Sequence, residues 1–545
     1  MTEPLTAASL AATPGDALLV IAPPGTGKTE LLARRAAVLI ERLEPHQKIL
    51  ALTFSNKAKR NLGARLQREL GAIRFRRYIR VRNFHGHAAE ILRSHGRTLG
   101  LDPAFAMPDA RTLTRALETE VGNDWPAREA IARALREAKR GPLDDAEVAA
   151  LLDDIDLRAA NLERGRVAAG ILHYDDLLRH AQRLLHVDAI AELYERHYGA
   201  VLVDEFQDLS MQQLDLATRS CTASRTFVGD PLQGIFTWAG AQPAEVEATL
   251  RQMCGSPHAL TVSYRSSPAV LAVVNAAAEE LGGEQLAAAD PSAWRVGGAA
   301  CAVEFDSTTE EAEAIVEICE SILAQDPDVS IGVIVRASWR RKELDDALDN
   351  AHGLPRYRWD LAIDDSVLAE RLRDAFRALP ATSTVEELRD RVLALIDPAD
   401  VDTYQQAVEA LEMLEELAGP AGPASKALDQ LTIRADDRPI EPGVHLLNAH
   451  TGKGQQFDWV IVIGLDEGHI PYYLATDNEA VAEEQRVLLV MLSRARHGLI
   501  LTRAQLHVSK AGKPYPRSPS RWWRLVADPC DTPWSELRQH LAGAE

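Results

Sequence analysis

The sequence predicts an α/β protein with two cores of parallel strands flanked by helices, each core interrupted by a helical segment. Three observations carry that expectation. An apolar run at 17–22 leads into the glycine-rich loop PPGTGKTE and then into the helical period LLARRAAVLIERL, the order strand, loop, helix. A second apolar run begins at Val201 and ends on the adjacent carboxylates Asp204 and Glu205. Beyond residue 300 the alternation resumes, with apolar strand-like runs at 302–305, 330–335, 445–450, 458–465 and 498–502.

The loop meets the pattern GxxxxGK[ST] except that Ala22 replaces the first Gly, while Gly25, Thr26, Gly27, Lys28 and Thr29 stand in place. Glycine lets backbone N–H groups turn inward on phosphates, Lys28 supplies a point charge, and the Thr29 hydroxyl suits Mg²⁺. An acidic pair alone is an ordinary way to end a strand. With the phosphate loop upstream, Asp204 reads as a metal ligand and Glu205 as the group that orients attacking water.

A further strand at 49–54 opens a basic helix, and VRNFHGHAAEILRSHG gives another strand end followed by Phe84, His85 and His87. From Lys57 to Arg97 there are twelve Lys or Arg against two Glu, within a chain of net charge −20. This basic island, with an aromatic and a His beside it, suits phosphate contact and base stacking, and acidic surface elsewhere would suppress non-specific binding. Two His at i, i+2 without a nearby Cys or carboxylate are a poor metal site. From 99 to 195 the strands give way to helical periods, among them RTLTRALETEV, AREAIARALREAKR and YDDLLRHAQRLL. A second helical stretch, about 362–440, closes on the hinge GPAGPAS, and its acidic helix around Glu409–Glu416 reads as a solvated or partner-facing surface.

At 545 residues the chain is too long for one core. Cys221, Cys254, Cys301, Cys319 and Cys530 have no CxxC spacing, which argues against a zinc or iron–sulfur site. No leader and no membrane-length apolar run stands out, so a cytoplasmic protein without a membrane partner is the expectation.

The ordered set APPGTGKT, LTFSNKAKRNL, NFHGHA, LVDEFQD, GDPLQGIFTWAGA, YRSSP, NAHTGKGQQFD and LLVMLSRAR resembles the UvrD/Rep family of superfamily 1 helicases across nearly the whole chain. The resemblance implies two RecA-like P-loop cores that clamp ATP and Mg²⁺ between them and move 3′ to 5′ along single-stranded DNA, acting on 3′-tailed duplexes. It divides the chain into core 1 at 1–98 and 196–263, a helical insertion at 99–195, core 2 at 264–361 and 441–545, and a reduced insertion at 362–440. By the same resemblance Lys28, Glu205, Gln233, Arg265 and Arg494 are catalytic, the two arginines as fingers from core 2. Tyr264 stacks on adenine, Gln456 holds the ribose, and Thr29 and Asp204 hold the metal. Thr53, Phe54, Asn56, His85, Phe236, Trp238, His450 and Lys453 fall where the family contacts DNA, the aromatics stacking on bases. Gln207 and Asp208 lie between the metal site and the GDPLQGIFTW segment, and are expected to couple hydrolysis to DNA.

Several positions depart from the family pattern. No Gln-bearing adenine motif precedes the phosphate loop, Glu30 and Ala239 stand where Arg is usual, Gln456 replaces Glu, and Leu489 replaces Tyr. The short second insertion leaves open a competing expectation, a nucleotide-gated DNA-binding subunit that serves a nuclease, repair or defence partner and unwinds little by itself.

Overall fold

The computed structural model describes residues 5–105, 116–117, 119–122, 124–237, 240–294, 298–351, 353–359, 362–363, 366–396, 401–418, 423–428, 432–433, 440–508 and 512–541. Most of the predicted helix RTLTRALETEV lies outside them.

The first sheet contains β1 (Ala17–Ile21), β2 (Lys48–Thr53), β3 (Ile79–Asn83), β4 (Tyr198–Asp204), β5 (Arg225–Gly229) and β6 (His258–Ala259), in the order β3-β2-β4-β5-β1-β6. All its pairings are parallel, with β1 and β4 on either side of β5. Because parallel strands share one direction, the loops after β1, β2, β3, β4 and β5 leave by the same edge, and the phosphate loop and the acidic pair meet there, whereas Arg80 and Arg93 of the basic island gather with Lys48 and Tyr198 where the strands begin. Near-continuous apolar runs are what a sheet covered on both faces requires. Leu19, Val201, Val203 and Phe227 join one buried cluster, whereas Leu18, Val20, Ala200 and Leu202 join the other.

The short strands β7 (Val262–Ser263) and β8 (Ala287–Ala288) pair with each other at the crossing to the second sheet. That sheet comprises β9 (Ala299–Ser307), β10 (Ser330–Val335) and β11 (Arg356–Arg358). After the small pair β12 (Ala362–Ile363) and β13 (Thr432–Ile433), it resumes with β14 (Gly443–Asn448), β15 (Phe457–Val462), β16 (Ala495–Val508) and β17 (Pro514–Pro516). Its order is β11-β14-β10-β15-β16-β17, with β9 also parallel to β16 and β17 antiparallel to it. The sequence reading found the long strands of this sheet but not β11 to β13 or β17, which are too short to show a period.

Between β3 and β4 lie the helices Trp125–Ala138, Asp145–Ile155, Leu157–Ala168, Tyr174–Leu185 and Asp188–His197. A buried ionic network ties them together. Asp176 sits within 2.8 Å of Arg179 and 2.9 Å of Arg166, and Lys139 lies 3.0 Å from Glu163. Charges taken from water at this depth persist because each is paired, and removing one partner would leave another uncompensated. The helix Val401–Ala418, expected to be a solvated surface, instead buries Tyr404, Ala407, Leu411 and Leu414 in the same apolar cluster as Phe84, Leu92 and Leu177. Among the described residues, no helix is long and apolar enough to cross a membrane.

Candidate active site and nucleic-acid groove

The phosphate loop runs from β1 into the helix Lys28–Ile40, whose N-cap Gly27 has φ 93° and which follows Gly25 at φ 81°. Both lie in the left-handed region that glycine enters without steric cost. Gly25 carries a second constraint. A Cβ there would stand 2.5 Å from Arg265 Cβ and 2.9 Å from Ser263 Oγ, so the loop and the Tyr264–Arg265 turn touch backbone to backbone. Tyr264 N–H donates to Gly25 O at 2.9 Å. Thr26 is buried and its hydroxyl donates to Pro23 O at 2.8 Å, so it shapes the loop from within.

At the end of β4, Asp204 is buried and accepts from the Glu205 N–H at 3.0 Å. Glu205 has φ 54° and is the one non-glycine residue in the left-handed region among those described. That conformation costs about 1–2 kcal/mol for a residue with a Cβ, and it brings the Glu205 carboxylate to 3.3 Å from Lys28 Nζ. Strain of this kind concentrates where geometry serves chemistry. Burial, reinforced by the Glu205 charge, holds the Asp204 carboxyl well above the usual range, whereas for Glu205 the upward push of burial is outweighed by Lys28 and Lys453. Neighbouring carboxylates that cannot both ionise comfortably are suited to a cation.

Gln207 spans two strand ends, its amide N–H donating to Glu205 Oε2 at 2.8 Å and its carbonyl accepting from Asp230 N–H at 3.0 Å. Asp230 in turn accepts from Gln233 Nε2 at 3.0 Å. Opposite stand two arginines from the far side of the cleft. Arg494 is 2 % exposed, donates to Val490 O at 2.8 Å, and reaches Gln233 Oε1 at 3.3 Å. Arg265 keeps a buried Nη1 with no hydrogen-bond partner. Burial first, then their mutual repulsion for Arg494 and the charge of Arg496 for Arg265, lower the two guanidinium groups to about 9 and about 10. Two desolvated cations with an orphaned donor, facing glycine-lined backbone and Lys28, form a cradle for a polyanion.

The sequence-expected residues do not all converge. Lys28, Asp204, Glu205, Gln233, Arg265 and Arg494 do. Thr29 sits in the first turn of its helix, and Tyr264 is 67 % exposed at the cleft mouth. Gln456 is exposed, whereas the neighbouring Gln455, which the sequence reading passed over, is buried with its carbonyl accepting from Arg494 at 3.4 Å and its Nε2 unpartnered.

A groove of about 590 Å³ opens on the same sheet edge, lined by Phe54, Asn56, His85, Tyr174 and the arginines of the helix Trp125–Ala138 and its end. Thr53 is buried at the end of β2 and donates to Ser55 O at 3.2 Å, and Asn56 accepts from Asn83 Nδ2 at 3.0 Å. Phe54 and Phe236 lie parallel with centroids 5.9 Å apart, and His450 flanks Phe236 at 6.5 Å. His85 stacks on Tyr174 at 4.1 Å, while His87 is buried on another side with Nε2 at 2.9 Å from Ser220 Oγ, so the two share no ligand. Trp238 lies outside the described residues. Lys453 faces inward, its ammonium donating to Asp208 at 2.6 Å and to Gln233 O at 2.6 Å while lying 4.5 Å from the Phe236 centroid. Arg133, Arg136 and Arg140 are exposed along the groove. Arg133 and Arg136 share one helical face and Arg140 follows just past the helix end; their i, i+3, i+7 spacing is the signal that could have singled them out in the sequence.

Comparison with known proteins agrees with this geometry. Residues 4–253 match the UvrD/REP helicase N-terminal domain and residues 386–505 the UvrD-like helicase C-terminal domain, together about two thirds of the chain. The chain is similar to the ATP-dependent DNA helicase UvrD2 of Mycobacterium tuberculosis, 28 % identical over 94 % of this chain and 80 % of that protein. It is 26 % identical to UvrD1 of the same organism, over 94 % of this chain and 83 % of the relative. Against DNA helicase II of Escherichia coli identity is 24 %, over 95 % and 86 %. With two parallel sheets whose edges meet at a phosphate cradle, and with both family domains matched in order, the chain belongs to the UvrD/Rep-like superfamily 1 helicases and has their RecA-like cores.

Proposed function

We propose that this chain hydrolyses ATP to move 3′ to 5′ along single-stranded DNA and to separate the strands of 3′-tailed duplexes. The observation that carries the reading is the cleft in which Lys28, Asp204 and Glu205 of the first sheet face Arg265 and Arg494 of the second, with Gln233 hydrogen-bonded to Arg494. The phosphate-loop N–H groups and Lys28 bind the triphosphate, and Tyr264 at the mouth covers the adenine. Lys28 is paired to Glu205. Incoming phosphate competes for Lys28, which frees the Glu205 carboxylate to hold the attacking water and receive its proton. Arg265, Arg494 and Gln233 then meet the charge that develops on the transferred group. The raised Asp204 carboxyl and the Thr29 hydroxyl are the residues that would hold Mg²⁺, which when bound neutralises phosphate oxygens.

Coupling to DNA runs through Asp208. Its carboxylate anchors Lys453, which touches both Gln233 O and the Phe236 ring, while its neighbour Gln207 holds Glu205 and Asp230. A base stacked between the groove aromatics and a phosphate in the cleft therefore act on one hydrogen-bonded chain. Asp208→Asn is expected to keep basal ATP turnover near the wild-type value and to reduce its stimulation by oligo-dT about tenfold, the effect of roughly 1.4 kcal/mol of lost coupling. Unchanged stimulation would remove Asp208 from this role.

For the groove, Arg136→Glu combined with Arg140→Glu is expected to weaken single-strand binding and to flatten its salt dependence. Each lost phosphate contact lowers the slope of log K against log salt by about 0.7. Anisotropy titrations at several KCl concentrations measure this directly, and an unaltered slope would place these arginines off the DNA path.

The reading as a whole is tested by ATPase and strand displacement in parallel on 3′-tailed, 5′-tailed and blunt duplexes. Displacement of the 3′-tailed duplex alone is expected. Displacement of the 5′-tailed duplex instead would reverse the polarity, and DNA-stimulated hydrolysis without displacement on any substrate would mean that the isolated chain is not a helicase.

A further inference from the structure

The second core holds a cluster that nucleotide and DNA chemistry leave unused. Asp466 follows β15, His469 lies in the turn after it, and His507 stands near the far end of β16. Gly464 and Gly468 adopt φ 77° and 88°, and the His469 N–H donates to Asp466 O at 2.9 Å, so the turn folds the imidazole back over the carboxylate. The three side chains offer ligand atoms that all lie within 4.8 Å of one another. Asp466 is 0 % exposed and the two histidines 3 % each.

Two of the three are already in contact, His507 Nε2 lying 3.0 Å from Asp466 Oδ2. His469 is different. Both of its ring nitrogens are buried and neither has a hydrogen-bond partner, although in a neutral imidazole one nitrogen carries a proton and the other a lone pair, and each calls for one. Its ring rests edge-on against Trp339 at 4.4 Å and tilts toward His507 at 5.1 Å. Aromatic packing alone leaves both nitrogens unsatisfied.

We propose that Asp466, His469 and His507 form a binding site for one divalent transition-metal ion of the zinc class. Two imidazoles and one carboxylate are the donor set that zinc and its neighbours take and that Mg²⁺ and Ca²⁺, which prefer oxygen ligands, do not. Bonds of about 2.0–2.2 Å in tetrahedral geometry place ligands about 3.3–3.5 Å apart, close to the observed His507–Asp466 spacing, so closure requires only a small swing of the His469 ring. Arg503 Nε donates to the other carboxylate oxygen, Oδ1, at 3.3 Å and fixes the carboxylate orientation, the outer-shell contact that metal ligands commonly have. Arg340 lies 3.5 Å from Oδ2, and it too is matched, by Glu311, while Arg503 pairs with Glu304. Arg340 and Arg503 are thus shared between Asp466 and these two carboxylates. A bound ion ties the loop after β15 to the distal end of β16 and fixes the adjoining Trp339 edge. The remaining coordination position is left for water.

The test uses the full chain without an affinity tag, stripped with chelator and kept free of nucleotide. Titration with Co²⁺ is expected to give a visible d–d band that saturates at one equivalent, and Zn²⁺ is expected to displace it and raise the melting temperature. His469→Ala and His507→Ala are each expected to weaken binding at least tenfold, whereas Asp204→Asn, at the nucleotide site, keeps the band. His469→Gln serves if the alanine variant does not fold. Absence of a saturable band in the wild-type chain overturns the proposal without any variant, and so does a band that survives in His469→Ala or disappears in Asp204→Asn.

Discussion

Arg494→Ala is expected to lower ATP turnover by about 10³-fold or more, the range an arginine supplied to a phosphoryl-transfer transition state contributes. Its guanidinium bridges Val490 O and Gln455 O of its own core and Gln233 Oε1 across the cleft. It lies buried and repelled by Arg265, so its pKa is driven down to about 9 by burial and then by that repulsion. A guanidinium placed at such a disadvantage is stabilised by the anion that arrives, and relief of that disadvantage offsets part of the hydrogen bonding lost on truncation, so the melting temperature should shift far less than turnover falls. Arg494→Lys is not expected to rescue. The fork that meets Gln233 Oε1 and Val490 O together has no equivalent in a point-charge ammonium. The check is kcat and KM beside a melting curve. A fall in kcat with little shift in melting temperature supports the role, and a parallel loss of both would make Arg494 a structural residue.

Glu205→Gln is expected to retain ATP binding and to lose turnover by about 10²–10⁴-fold, the contribution of a positioned general base. The substitution keeps the side-chain shape, and glutamine pays a similar penalty for the left-handed backbone, so the strand end should hold its conformation. What changes is charge. Lys28 loses its 3.3 Å partner and is released to phosphate, so apparent affinity for ATP should rise as hydrolysis falls. Filter binding and single-turnover hydrolysis separate the two effects. Turnover at the wild-type rate would move the water-orienting role to another residue.

The first-sheet half of the candidate cleft was legible in the sequence because its parts are local, whereas Gln233, Arg265 and Arg494 follow only from the family resemblance. A strand–glycine loop–helix unit and a strand ending in two carboxylates reveal themselves within a few residues, and the two cores followed from apolar periodicity. The groove was only partly legible. Arg133 and Arg136 lie on a helix whose charge pattern is also that of an ordinary solvated face, Arg140 lies just past its end, and only the fold brings them opposite Phe54 and His85. Lys453 was expected on the DNA backbone, yet its nearest anion is Asp208, far away in sequence, a pairing no periodicity encodes. The cluster of Asp466, His469 and His507 has no spacing that marks it in the sequence, because its third member comes from another strand. Likewise the acidic helix Val401–Ala418 read as solvated because its apolar positions match a cluster assembled from the distant first core.

The contact between Gly25 and the Tyr264–Arg265 turn has a kinematic consequence. The chain passes from one sheet to the other beside this point, where Tyr264 N–H is hydrogen-bonded to Gly25 O and any side chain on Gly25 would collide. Ser266 and Ser267 just beyond it are clipped to the Ala495 and His497 carbonyls at 2.7 and 2.9 Å, which fastens the turn to the start of β16. If the cores rotate during the cycle, this joint is the fulcrum and the rest of the second core is the arm. Arg265 lies at the bearing, and Arg494, next to the clipped Ala495, is held beside it. The two arginines then serve as a single jaw against which the phosphate loop closes.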